Sequence, residues 1–381
     1  MEEKKMQADA AGKTASDLQP ATPTSGKKVV IWSVVLIIIT ILTVKIILSG
    51  SDISLMDLIE SLKSASPAWL AVTTIATLCY ILFEGEALIC IAKEVGYPQR
   101  HINGFLYGAG DVYFSAITPS ATGGQPASAY FMMRDGIPGP ITVVALIVNL
   151  IMYTLAVLTT GLIAVIFKGR LLGCFELPGK LLIAASTAIL IGMVVVFYLF
   201  LKKKNIVFAI SWKITRILHK LHIVRDVEKR KAKLEKKAEE YEACYQFISG
   251  RTGMLVKVYI FNLLQRVSQI FVTAFVHMAI GGAAADFWNV LGVQAFVTLG
   301  SYCIPMPGAI GVADYLLIGG FKGYFTENAD YAYRLSMISR GFYFYLCIMV
   351  SLVVVIIGYL FLRNKTRKQG GQESTFAAKK M

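Results

Sequence analysis

The 381-residue chain carries 38 Lys/Arg against 24 Asp/Glu, a formal charge of +14, yet only 16% of its residues are charged and 56% are hydrophobic. Soluble domains carry roughly 25% charged residues, so a polar skin around one soluble core is excluded. The apolar residues fall in blocks, several of them close to the ~20 residues that cross a hydrocarbon layer. None shows the period-two alternation of a barrel strand. The fold class expected is therefore all-α, a polytopic integral membrane protein with about six full spans.

Residues 1–28 are polar, hold five Lys and read as a disordered tail. Val29–Leu48 follows without an A-x-A cleavage site and reads as a retained first helix, not a signal peptide. Asp52–Lys63 is a short amphipathic stretch, and a second helix runs from Trp69 to about Ala92. Phe105–Ile117 is too short to span comfortably and stops at a break containing Pro119, Gly123, Gly124 and Pro126. Ala127–Met133 follows, then the full-length blocks Ile141–Phe167 and Leu181–Leu201. The loop 202–253 holds 14 Lys/Arg and 6 Asp/Glu. Ile210, Ile214, Ile217, Leu218 and Leu221 recur there at helical spacing beside Lys213, Arg216 and Lys220, as in a helix lying on an anionic surface. A merely solvated charged helix is the alternative for Arg225–Tyr245.

The second half repeats the order of the first. Met254–Ile280 is a full block, and Phe287–Ile304 ends at a break containing Pro305, Pro307, Gly308 and Gly311. Val312–Phe325 is short, and Met337–Leu362 is the last block before a basic tail over 363–381. Basic flanks stay cytoplasmic, which puts both termini and the central loop on one side. That parity holds only if 103–133 and 287–325 each enter and leave on one face. The chain then divides into a membrane half over 29–201 and a second over 254–362, each with a re-entrant hairpin, the two oppositely oriented as in an inverted repeat. Paired interruptions of this kind point to a binding site at mid-membrane, because unwound backbone at that depth must face protein or water. Two ordinary helices bent at proline are the alternative.

Ionisable side chains inside spans usually face a cavity. Asn262, Arg266, Gln269 and Thr273 form one polar stripe at i, i+4, i+7 and i+11, lining either a cavity or an internal ion pair. Glu84 and Glu86 lie about 200° apart around one helix, so both cannot face one cavity; either one snorkels to the surface or Gly85 loosens the helix. Asp111, Asp314, Arg340 and Asn149 complete the inventory. Guanidinium matches phosphate geometry, so Arg266 and Arg340 suit a lipid phosphate, while Glu84, Asp111 and Asp314 suit a cationic head group. The scattered cysteines and four histidines lack metal-ligand spacing, and no catalytic residue, metal or cofactor is expected.

Pro305-Met306-Pro307-Gly308-Ala309-Ile310-Gly311-Val312-Ala313-Asp314 resembles the P-x-P-G-G-[IL]-G-x-x-E signature of the lysylphosphatidylglycerol synthase transmembrane-domain family. Pro119–Arg134 is similar to that family's first Pro/Gly-rich motif. Ala309 departs from the second Gly, and Asp314 keeps the charge of the usual Glu on a shorter arm. The resemblance covers 29–362 and implies likeness to the membrane half of the bacterial multiple peptide resistance factor. It implies a multi-pass protein of the bacterial inner membrane that moves aminoacylated phosphatidylglycerol, or a related lipid, between leaflets. Nineteen residues follow Leu362, so the soluble domain that loads the amino acid is not expected in this chain. Phosphatidylglycerol lysyltransferase activity and a non-transporting scaffold are the alternatives. Expected partners are anionic or aminoacylated membrane phospholipids and a separately encoded lipid-modifying enzyme. A homo-oligomer stays open, and nucleic acid is not expected.

Overall fold

The computed structural model describes Ile38 and residues 55–118, 121–202, 250–302 and 311–360. The expected first span (Ile38 apart), both tails, most of the basic loop, and Pro119, Pro305, Pro307 and Gly308 lie outside them. The described residues are overwhelmingly helical, with no strand among them. In chain order the helices are α1 (Leu55–Ser64), α2 (Pro67–Glu94), α3 (His101–Ile117), α4 (Gly124–Arg134) and α5 (Gly139–Lys168). There follow α6 (Leu177–Lys202), α7 (Thr252–Ala279), α8 (Phe287–Gly300), α9 (Val312–Tyr324) and α10, which starts at Ala329 and continues to Leu360. Among the described residues, five helices are long and apolar enough to cross a membrane: those within Pro67–Glu94, Ile141–Cys174, Leu177–Phe197, Thr252–Ala279 and Ala329–Leu360. The chain is an all-α polytopic membrane protein.

α2 and α7 are the central antiparallel pair. Trp69 stacks on Phe275 (5.9 Å) and Phe83 meets Phe261 (6.4 Å), while the Ser66 amide donates to the Ala279 carbonyl. Both helices are 28 residues long, and each is closed by a glycine with positive φ, Gly96 (88°) and Gly281 (82°). Such a residue lets the chain reverse and satisfy the last carbonyls, which a Cβ would hinder.

Two shorter helix pairs flank this centre. α3 and α4 lie antiparallel: Ser128 Oγ donates to the Tyr107 carbonyl (2.8 Å), and Tyr107 OH donates to Asp135 (2.6 Å). α8 and α9 do the same, with Asn289 donating to Tyr324 OH (2.8 Å) and Gly320 facing Val293. The mouth of the first pair lies at the end of the bundle where α2 finishes, shown by His101 against Glu86 (2.6 Å). The mouth of the second lies at the opposite end, where Lys168 at the close of α5 donates to Asn289 (2.7 Å). The two pairs thus enter the bundle from opposite ends.

Small residues set the closest contacts. Gly85 of α2 lies against the backbone of Gly104 in α3, and Gly108 against the Ile81 carbonyl. Helices in lipid gain no hydrophobic drive from one another, so close backbone approach and dispersion hold them. Buried apolar residues form two clusters. One joins α2, α3, α4 and the start of α5 with Met254 and Val355. The other joins α7, α8, α9 and the start of α10.

The last helix differs from its expected start at Met337. It begins at Ala329, where the Asn328 side chain accepts from the Tyr331 amide (3.0 Å), and its polar first turns hid it from a hydropathy reading. Arg340 therefore sits three turns inside the helix instead of at its edge. Directly after it, Gly341–Leu346 widens into a π-helical turn.

Candidate functional site

Arg266 lies 14 residues into α7, about 21 Å along an axis of about 42 Å. A cavity of about 760 Å³ opens beside it, its largely apolar wall studded with charged and amide side chains. Its wall includes Glu84 from α2, Asp111 from α3, Asn149 from α5, Arg266 and Gln269 from α7, and Arg340 from α10. Both helix-pair tips reach it: Ala121, Thr122 and Pro126 from the first, Ser301 and Tyr302 from the second.

The acidic side of the wall is built by amides. Glu84, 5% exposed, accepts from Asn149 Nδ2 and Gln265 Nε2, both at 2.7 Å. Asn149 Oδ1 in turn accepts from Asn262 Nδ2 at 2.8 Å. Asp111 lines the same space and accepts no hydrogen bond among the described residues. Its carboxylate lies against Gly124, where a Cβ would collide with it and with Ser115. Glycine at that position is therefore what lets the tip of the first pair close over Asp111. Glu86 points the other way and meets His101, as the 200° rotation requires.

The basic side is Arg266, 2% exposed. Nη1 donates to Gln269 Oε1 (2.6 Å) and Tyr302 OH (3.3 Å), and Nη2 donates to Tyr80 OH (3.1 Å). Two buried polar atoms on this wall lack a partner, Arg266 Nε and Gln265 Oε1. A donor and an acceptor left unmet in one cavity favour a ligand that supplies both.

Three expected positions stand apart from the cavity. Asp314 pairs with Arg340 Nε at 3.0 Å, and its other oxygen accepts the Gly311 amide at 2.9 Å. Its charge is spent on holding α9 to α10. Asn262 is fully buried behind Asn149, and Thr273 donates to Gln294. Gly311 has φ 88°, which suits glycine at the start of α9, and Gly123 occupies the N-cap of α4.

Tyr80, Tyr153, Tyr302, Gln265 and Gln294 also line the cavity and were missed from sequence. A signal existed for some: Tyr80–Glu84 and Asn149–Tyr153 are i, i+4 pairs, and Gln265–Gln269 repeats the spacing of Asn262–Arg266. Tyrosine in an apolar span reads as packing, so the pattern passed unnoticed.

The family model described as "Lysylphosphatidylglycerol synthase TM region" matches residues 30–351. The chain belongs to that family. The match spans both helix pairs and every cavity residue named above, so the site lies wholly within the region that defines the family. No curated protein and no solved structure matches the chain.

Proposed function

We propose that the chain moves a phospholipid between leaflets, with its head group passing through the Glu84–Arg266 cavity. The observation that carries this reading is the convergence of two oppositely directed helix pairs on one chamber that holds charges of both signs halfway along the spans. In this reading each pair is a re-entrant hairpin whose tip meets water, not lipid, as unwound backbone at that depth requires. A head group with a phosphate and an amine fits both signs of charge. Its phosphate meets Arg266, and its amine meets Glu84 and Asp111. Aminoacylated phosphatidylglycerol of the lysyl type has those two groups, which agrees with the family's description. The basic flanks favour cytoplasmic termini, and the family resemblance favours a bacterial inner membrane.

The test is reconstitution of the full chain in liposomes carrying fluorescent phosphatidylglycerol or lysylphosphatidylglycerol in one leaflet. Faster equilibration of either lipid than in protein-free vesicles, lost in Arg266→Ala, is expected. Rates equal to protein-free vesicles for both lipids defeat the proposal.

The word "synthase" in the family's description favours a second reading, aminoacyl transfer to phosphatidylglycerol. Incubation of the purified chain with labelled lysyl-tRNA and phosphatidylglycerol separates the two. Label in the lipid supports transfer, and its absence alongside lipid movement supports transport.

A further inference from the structure

Arg266 places its guanidinium in a cup of tyrosines. Its Cζ lies 4.5 Å from the ring centroid of Tyr153 and 5.1 Å from that of Tyr80. The hydroxyls of Tyr80 and Tyr302 accept from its terminal nitrogens, and Tyr302 meets Tyr153 both through the hydroxyls and edge to face. Among the described residues, no carboxylate oxygen comes within 4.0 Å of this guanidinium. A buried cation normally keeps a counter-ion, because desolvation is costly. Here ring faces and hydroxyl oxygens take the counter-ion's place. That is the chemistry by which aromatic cages hold ammonium ligands, and here the occupant belongs to the chain itself.

We propose that the Tyr80–Tyr153–Tyr302 cup is a binding site for an organic cation, an alkylammonium or guanidinium group, which Arg266 occupies as a tethered competitor until a ligand displaces it. The idea rests on the head-group reading and gives it an order of events. The phosphate of an arriving head group draws the guanidinium outward, its free Nε–H offering one unused donor. The amine then takes the vacated cup, with Glu84 and Asp111 lining the same cavity. The cup exchanges one cation for another, so no charge is left unshielded at mid-depth. A residue that only grips phosphate behaves differently: its removal weakens anion binding and leaves cation binding no tighter.

The experiment is calorimetric titration of the detergent-solubilised full chain with tetramethylammonium, butylguanidinium and glycerol phosphate. Arg266→Ala and the bulkier Arg266→Met are expected to bind both cations about tenfold tighter than wild type. The same variants bind glycerol phosphate about tenfold more weakly. Adding Tyr153→Leu to Arg266→Ala abolishes the cation gain, whereas adding Tyr153→Phe keeps most of it, because the ring face remains. Cation affinities no higher than wild type in both variants overturn the proposal, as does a gain that survives Tyr153→Leu. If neither variant folds, the wild-type protein decides the matter by ¹⁵N spectroscopy. Saturating tetramethylammonium should shift the Arg266 Nε–H resonance, and an unmoved resonance overturns the proposal. No arm reads lipid movement, so failure of transport and failure of the cup are separate results.

Discussion

Replacing Gly85 by alanine adds one methyl where α2 and α3 touch backbone to backbone. The new Cβ would fall inside the van der Waals envelope of the Gly104 carbonyl and 3.0 Å from Gly104 Cα. Apolar carbons pack best at 3.5–4.0 Å, so α3 must retreat by roughly an ångström. Its neighbour contact, Gly108 against the Ile81 carbonyl, retreats with it. Overpacking of this kind costs about 1–3 kcal/mol, and a rigid backbone on both sides argues for the upper figure. Alanine's better helix propensity offsets about 1 kcal/mol, leaving a net loss of about 2 kcal/mol. Gly192 in α6 is the control, since a Cβ there meets nothing within 4 Å. Gly192→Ala should therefore gain up to ~1 kcal/mol from propensity alone. Reversible SDS unfolding in mixed micelles, followed by intrinsic fluorescence, compares the two variants. The same chemical change should separate them by about 3 kcal/mol. A separation under about 1 kcal/mol would refute the claim that glycine contacts set the position of the first helix pair.

Asp314→Ala should cost about 3 kcal/mol by leaving the buried Arg340 short of its carboxylate, and Arg340→Met in the same chain should restore much of that loss. A double-mutant cycle in the same unfolding assay checks this, with additive losses counting against it. Tyr107→Phe removes the hydroxyl that donates to Asp135 and should cost about 1.5–3 kcal/mol, read as a lower SDS midpoint. Glu84→Gln keeps the shape of its amide-built pocket and should cost only about 1–2 kcal/mol. It should nonetheless slow movement of lysylphosphatidylglycerol more than that of phosphatidylglycerol in liposomes, and equal slowing of both lipids removes Glu84 from amine recognition.

Block hydropathy located every long helix among the described residues except the start of the last. That start is written in Asp330, Arg334 and Ser336, whose polarity contradicts membrane burial but not helicity. Once Ala329–Arg340 packs against α7 and α9, those residues need no lipid contact. The short helices were legible because proline and glycine interrupt apolar runs too brief to span. Arg266, Glu84 and Asp111 stood out because an ionisable group in an apolar run requires a reason. The pairing of Asp314 with Arg340 was hidden, since the sequence gives both charges but not the partner of either. The tyrosines around Arg266 were hidden differently: their ring area looks like packing until the guanidinium is seen above it.

Glu84 has a biosynthetic history. Its amide donors are Asn149 and Gln265, which follow it by 65 and 181 residues. At 5–20 residues per second of synthesis, Gln265 leaves the ribosome roughly 10–40 s after Glu84. During that interval α2 exists without the second side chain that makes its carboxylate tolerable in the bilayer. Until α7 arrives the Glu84 carboxylate lacks one of its two amide donors, so the pocket around it is completed only when the second half of the protein is made.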